Sequence, residues 1–530
     1  MPWMEEVWLA GAAVSISWLR MSVALLLSLA FSFTIGGLAG VNKNAERVII
    51  PILDILQSIP ILGFFPIAIY ALYIVSPAIG PELAAIFLIF TSQVWNITFA
   101  VYESIRVVPA DLIEASKALG MGRLERVFRI YIPATLLRVF QNIPPSWSNG
   151  LYFLVASEIL NFGQLQVRLF GLGSLMAQFA SSGNLYGMII TLAILVLAVI
   201  TTNLLVFLPL MHYGERFRFE TAARETRTVW VSRITRRLGI VSERLSRVEV
   251  KRPGIANYPE LHRALSGITR RIAIRRSIAQ LLLFAILAYV ISLVWLSWGK
   301  GIGDIFVGVV ESFTRLGIEG IIIPVLFSLA RVAISVAFAV AWSLPVAILL
   351  FTHRRASTFI IPLLQVIASI PATITYPIFA TLLHDYDELR TFILITLGTQ
   401  WYVFFSIFGG LSNTPSEELE VADLLGIKGV QRLRALYFPR IIPALITGCI
   451  AATGGAWNTL VVAERLKLDV LTAEIKAPGL GKLINIAAET GDVYTLLSLV
   501  AVMVIVIIMI NRVFWKRLYD HAVQMWKLPE

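Results

Sequence analysis

Long apolar runs, broken by short polar segments, organise this chain. They predict membrane-spanning helices near 15–40, 59–80, 83–105, 136–160 and 184–211, and again near 322–350, 367–384, 390–411, 441–463 and 493–513. A further apolar run, 278–298, precedes the second set. Many of these runs approach the roughly 20 residues that carry a helix across the hydrocarbon core. None shows the residue-by-residue alternation of a membrane barrel strand. The expected fold class is an all-α polytopic membrane protein with about 11 transmembrane helices.

The two sets are copies. An offset of 311 places Arg20 on Arg331, Pro51 on Pro362, Ser58-Ile59-Pro60 on Ser369-Ile370-Pro371 and Pro66 on Pro377. An offset of 306 places Pro109 on Pro415, Glu114 on Glu420, Gly120 on Gly426, Pro133 on Pro439 and Glu158 on Glu464. Further on, Gly171-Leu172-Gly173 meets Gly479-Leu480-Gly481 and Tyr186 meets Tyr494. Matches kept in one order define a parallel tandem repeat of five core helices, with one extra helix between the copies. The expected division is 1–212, a linker 213–277, and 278–530.

Composition agrees: 58% of the 530 residues are hydrophobic and 15% are charged, against about 25% charged in soluble domains. Net charge is +11, and residues 213–277 alone hold 16 Lys and Arg against 6 Asp and Glu. In a membrane protein such a surplus marks the cytoplasmic side rather than nucleic-acid binding. Placing Lys43/Arg47, 106–138, 213–277, 353–355, 428–440 and 512–527 on that side leaves the acidic or mixed turns on the other. The N-terminus is then outside and the C-terminus inside. The linker alternates Arg clusters with apolar residues; it reads as a solvated connector with a surface-lying helix or as a docking element. The lone Cys449 excludes an intrachain disulfide and reads as a small core residue. The acidic N-terminus, MPWMEEVW, lacks the basic region of a cleavable signal.

Two polar segments matter most. Residues 114–133 read EASKALGMGRLERVFRIYIP and residues 420–439 read EVADLLGIKGVQRLRALYFP. Leu112, Ala115, Ser116 and Leu119 share a helical face, Pro109 suits a helix start, and Gly120 supplies a stop. A short helix with small residues and a following turn, held in water between spans, is built to seat in a groove on a partner. Both segments resemble the EAA signature of ABC-transporter permeases: Glu114-Ala115-Ser116, Gly120, then Ile130-Tyr131-Ile132-Pro133, and Glu420-Val421-Ala422, Gly426, then Leu436-Tyr437-Phe438-Pro439. Ser116 and Val421 replace Ala, and Ile132 and Phe438 replace Leu, while the nine-residue gap is kept. The chain is most similar to the nitrate, sulfonate and taurine importer permeases, with two permease halves fused.

That resemblance implies a transport subunit rather than an enzyme, importing a small solute such as nitrate, a sulfonate, taurine or bicarbonate through the prokaryotic inner membrane. It implies two cytosolic ATPase subunits that bind the ATP and Mg, gripped through Glu114, Ala115, Ala118, Gly120 and Glu420, Ala422, Leu425, Gly426. It also implies a substrate-binding protein outside. The chain itself has no Gly-x4-Gly-Lys-Ser/Thr phosphate loop; Gly479-Leu480-Gly481-Lys482 is followed by Leu483. No residues suggest a metal or catalytic constellation.

Polar residues within spans are candidate pathway groups: Gln93, Trp95, Asn96, Trp147 and Asn149 in one copy, Gln400, Trp401, Tyr402, Trp457 and Asn458 in the other. Interhelical hydrogen bonding is the competing explanation. Arg20 with Glu158, and Arg331 with Glu464, sit at similar predicted depth and are expected to pair as structural or gate elements. The prolines at 60, 66, 371 and 377 read as kinks. Two other functions stay open at this point: an ion-driven transporter with parallel repeats, and a membrane scaffold that anchors an ATPase.

Overall fold

The computed structural model describes residues 2–58, 61–162, 165–217, 302–368, 370, 372–412, 414, 416–468 and 471–525. The 278–298 run, the 213–277 linker beyond 217, Pro60 and Pro371 lie outside the described residues. The first copy contains α1 (Pro2–Phe31), α2 (Lys43–Ser58), α3 (Ile61–Val75), α4 (Gly80–Arg106), α5 (Ala110–Ala118), α6 (Ile132–Glu158), a hairpin of β1 (Ile159–Phe162) and β2 (Leu165–Arg168), α7 (Leu172–Ser181) and α8 (Leu185–Thr202). The second repeats the order: α9 (Ile302–Thr352), α10 (Arg354–Ala368), α11 (Ala372–Leu382), α12 (Asp387–Ser412), α13 (Ser416–Leu424), α14 (Phe438–Glu464), β3 (Arg465–Leu468), β4 (Leu471–Glu474), α15 (Leu480–Thr490) and α16 (Val493–Met509).

The protein is an all-α polytopic membrane protein apart from two antiparallel hairpins, which the apolar pattern does not announce because each strand has four residues. Among the described residues, seven helices are long and apolar enough to cross a membrane. Of the other expected spans, 278–298 lies outside the described residues, and three fall short for physical reasons. α3 and α11 have 15 and 11 residues. α6 has 27 residues but carries Arg138, Gln141, Asn142 and Asn149. The first helix also begins at Pro2 rather than near 15, so Arg20 lies well inside it. Glu5 and Glu6 end the apolar window there without ending the helix. Likewise α9 starts at Ile302 and kinks at Gly317, whose φ of 67° favours glycine.

Local chemistry repeats with the topology. Pro133 and Pro439 stand in the first turns of α6 and α14 and lack an N–H for the preceding turn. In both copies that preceding turn is widened to a π turn, Val127–Tyr131 and Leu433–Tyr437. Pro66 and Pro377 sit inside α3 and α11.

Within each half, α4 packs on α1 and α6, and α12 on α9 and α14. The short helices are exchanged. α3 of the first half packs on α14, α15 and α16, while α11 of the second packs on α6, α7 and α8. Ile61, Leu62, Phe65 and Ile69 therefore belong to the apolar cluster of the second half, and Ile370 and Ile378 pack against that of the first. Across the seam the Tyr152 hydroxyl donates to Thr459 Oγ1. Position 152 corresponds to 458 under the repeat, so equivalent levels of α6 and α14 face each other. The halves run in the same direction, and α5 and α13 lie at the same end of the bundle.

That placement is checkable by labelling. Leu119 and Leu424 are 70% and 86% exposed, whereas Cys449 is 5% exposed. The native chain should stay unlabelled by a membrane-impermeant maleimide. L119C and L424C should both react from one face of oriented vesicles; reaction from opposite faces would contradict the fold.

Candidate functional site: docking helices, seam and buried locks

The polar segments form two matching short helices. α5 ends in a reciprocal cap: Met121 N–H donates to Ser116 O at 3.0 Å and Gly120 N–H to Lys117 O at 2.9 Å. α13 repeats it, with Ile427 N–H to Ala422 O at 2.9 Å and Gly426 N–H to Asp423 O at 3.1 Å. This cap needs a left-handed residue, and Gly120 and Gly426 have φ of 75° and 67°. Ser116 and Ala422 are the buried residues that seat each helix on its own half. Glu114, Ala115, Ala118, Gly120, Glu420, Leu425 and Gly426 face outward, as do Leu119 and Leu424. Of the eight residues assigned to coupling, only Ala422 turns inward, because one helix face must pack.

The two helices are not equally fixed. Arg440 pairs with Glu418 and Arg432 with Asp423, tying α13 to the helix that follows. Under the repeat, Glu418 and Asp423 correspond to Leu112 and Lys117, so α5 lacks both carboxylates.

At the opposite end of each half the structure brings Arg20 and Glu158 together at 2.8 Å, and Arg331 and Glu464 at 2.9 Å. Each guanidinium also holds a second carboxylate through its other edge: Arg20 to Glu82 by two 2.7 Å bonds, Arg331 to Glu388 at 2.8 and 2.5 Å. Glu158 and Glu464 are fully buried, and donors from several elements reach them. Ser17 donates to Glu158 at 2.5 Å and Ser328 to Glu464 at 2.6 Å. Gly173 N–H reaches Glu158 at 2.6 Å, and Lys482 N–H reaches Glu464 at 3.1 Å. The Gly-Leu-Gly repeat now has a cause. A Cβ at Gly171 would lie 2.2 Å from a Glu158 oxygen, and one at Gly479 2.3 Å from a Glu464 oxygen.

Glu82, Glu388, Ser17 and Ser328 were not singled out by the sequence reading. The signal existed, since the same two offsets pair Glu82 with Glu388 and Ser17 with Ser328. Arg390 was also missed. It is 2% exposed, and its Nη1 lies 3.5 Å from Leu383 O, beyond the end of α11. The first copy has Ala84 there.

Side chains of both halves meet along the seam. Asn458 accepts from Ile61 N–H at 2.7 Å, fixing the start of the exchanged α3. Thr373 donates to Tyr152 O at 2.6 Å, the Tyr152 and Tyr376 hydroxyls are 3.2 Å apart, and Tyr402 donates to Asn149 at 3.1 Å. Asn149, Tyr402 and Asn458 of the expected pathway set thus cross the seam. Gln93 and Trp147 pack within the first half, Trp147 edge-on to Trp18 and Phe207. Trp457 is fully buried and Trp401 meets Trp342 edge-on. Trp95, Asn96 and Gln400 are half-buried. Tyr152, Thr373, Tyr376 and Thr459 were missed because their repeat partners differ: Asn458, Leu62, Phe65 and Phe153.

Beyond these bonds, toward the locks, lies a cavity of about 120 Å3 between the halves. Leu62, Phe65, Ile69 and Val155 line its first-half wall, and Arg465, Lys467, Asn485 and Glu489 lie on the other. None of the ten expected pathway residues is among the described residues lining it.

The locks predict a stability phenotype. Removing the cation from a buried pair costs roughly 3–5 kcal/mol, so Arg331→Met should lower the melting temperature of the purified chain sharply. Gly479→Ala should cost roughly 1–3 kcal/mol by overpacking. Unchanged melting in both would show that the locks carry no structural weight.

Residues 32–216 and 339–523 each match the family described as the binding-protein-dependent transport system inner membrane component. A putative aliphatic sulfonates transport permease protein of Bacillus subtilis is 29% identical over 159 residues, 30% of this chain and 57% of that protein. A nitrate import permease protein of Synechococcus elongatus is 25% identical over 150 residues, 28% of this chain and 52% of that protein. A bicarbonate transport system permease protein of the same species is 25% identical over 151 residues, 28% of this chain and 52% of that protein. The chain spans about half the length of the curated relatives it matches. With the family matched once in each half, the chain belongs to the binding-protein-dependent ABC importer permeases, with two permease halves in one polypeptide.

Proposed function

We propose that this chain is the membrane pathway of an ATP-driven importer for a small anion. On this reading α5 and α13 each seat in a cleft of a cytosolic ATPase subunit, and those subunits bind the ATP and Mg. A substrate-binding protein delivers the anion at the opposite face. The observation that carries the reading is the pair of capped, water-exposed helices at one end of two parallel halves. The N-terminus lies outside and the basic linker and C-terminus inside, because the docking ends carry Arg123, Arg126 and Arg129 and Lys428, Arg432 and Arg434. The substrate class follows from relatives named for nitrate, aliphatic sulfonates and bicarbonate.

The geometry supports a mechanism of moving halves. Each coupling helix connects to the long helices α4 and α6, or α12 and α14, whose far ends are locked by the buried arginine clusters. A push at the docking end is therefore carried along a stiff body. What gives is the contact between α6 and α14, crossed by hydrogen bonds worth about 1 kcal/mol each. Parting α6 from α14 breaks the Tyr152, Asn149 and Thr373 contacts and opens a path below the cavity.

The ion-driven alternative fits less well. Among the described residues the buried carboxylates are Glu158 and Glu464, and each is held by an arginine, a serine hydroxyl and a backbone N–H. A proton relay needs a carboxylate free to titrate.

Charge reversal tests the docking assignment. Glu114 and Glu420 are exposed, so Glu114→Lys with Glu420→Lys should leave thermal stability within about 0.5 kcal/mol. ATPase binding and ATP-driven uptake in proteoliposomes should fall by about tenfold or more. Full uptake in the double variant would contradict the assignment.

A further inference from the structure

The seam cavity has two unlike walls, and the repeat shows where they differ. The lock residues Arg20, Glu82 and Glu158 recur as Arg331, Glu388 and Glu464. Around the cavity Pro66 and Val155 recur as Pro377 and Val461, but the polar groups do not: Arg465, Lys467, Asn485 and Glu489 stand where the first copy has Ile159, Asn161, Ala177 and Ser181. All the charge lining the cavity thus comes from the second half, while the first supplies Leu62, Phe65, Ile69 and Val155.

The charged wall has a cationic surplus. Arg465 bridges Glu474 and Glu489, the latter at 2.7 Å. Hydrogen bonding to Glu489 holds its guanidinium above the ordinary value, against burial. Lys482 lies 3.8 Å from Glu474. Three cations, Arg465, Lys467 and Lys482, thus share two carboxylates, and of these five groups Arg465, Lys467 and Glu489 line the cavity. Lys467 is the least engaged: among the described residues its ammonium has one ion contact, Glu489 at 3.7 Å. An ammonium offers three donors, and Lys467 is among the residues lining the cavity.

We propose that the cavity binds a small organic anion with a short apolar chain, its charged head at Lys467 of the second half and its chain against Leu62, Phe65, Ile69 and Val155 of the first. The proposal rests on the importer reading and narrows its substrate. The volume of about 120 Å3 is close to that of an engineered apolar cavity, about 150 Å3, that accepts benzene. A bare oxyanion can use only the charged wall. An alkyl chain also removes apolar surface from water, and each buried methylene strengthens binding roughly fourfold.

Binding of sulfate, methanesulfonate and propanesulfonate to the full-length chain in lipid nanodiscs, measured by calorimetry, tests this. Propanesulfonate should bind about tenfold or more tightly than methanesulfonate, since it adds two methylenes. Lys467→Gln should weaken propanesulfonate about tenfold or more, and Lys467→Arg should restore most of it. Ile69→Ser should reduce the preference for the longer chain while methanesulfonate binding persists. Equal affinity for the three probes, no saturable binding of propanesulfonate, or full binding by Lys467→Gln would overturn the proposal. ATPase stimulation by the same nanodiscs is read in parallel. If stimulation is intact while the cavity result fails, the substrate assignment falls and the importer reading stands; if stimulation is absent, the importer reading falls first.

Discussion

A carboxylate stripped of water inside an apolar bundle is the constraint on which each half depends. Glu158 and Glu464 are fully buried, and burying such a charge is costly unless it is paired and fully hydrogen-bonded. The chain meets that demand with groups from several elements: an arginine and a serine from the first long helix, and backbone N–H groups from the segment after the hairpin. Satisfying one charge therefore fixes the relative positions of α1, α4, α6 and α7, and of α9, α12, α14 and α15. The glycines beside the carboxylates follow, since a Cβ there would strike their oxygens.

Stiff halves would be of little use as separate bodies. The exchanged helices join them: α3 is built into the second half and α11 into the first. The polar contacts along the seam are hydroxyls, amides and one backbone N–H, beside apolar packing of Phe153, Ala156 and Leu169. The contrast in strength is what makes movement at the seam more accessible than distortion within a half. A buried charge cluster resists opening by several kcal/mol, whereas each neutral hydrogen bond contributes about 1 kcal/mol. The proposed coupling uses that contrast, with the docking helices at one end and the locks at the other.

Much of this was legible in the sequence, and for a definable reason. The apolar runs, the repeat, the glycine-capped docking segments and the arginine–glutamate pairs all recur twice, and recurrence separates signal from noise in an apolar chain. The hairpins escaped notice because four-residue strands leave no periodic trace. The amphipathic α2 and α10 were hidden beside stronger apolar runs. Tyr152, Thr373, Tyr376 and Thr459 were invisible for the opposite reason: they are unlike their repeat partners. Gln93, Trp147 and Trp457 drew attention as polar or aromatic groups in spans, yet the fold packs them inside single halves. The features that distinguish one half from the other, including the charged cavity wall, are found only once the two copies face each other.

Two stiff halves that move against each other when α5 and α13 are driven must change their separation. Spin labels at 119 and 424 span the halves, and labels at 119 and 186 lie within one; all three positions are exposed. Electron–electron distance measurements on the chain assembled with its ATPases, without and with a non-hydrolysable ATP analogue, read both separations. The account predicts a change of several ångströms between 119 and 424 with the 119–186 distance unchanged. A fixed 119–424 distance, or an equal change within the half, would contradict it.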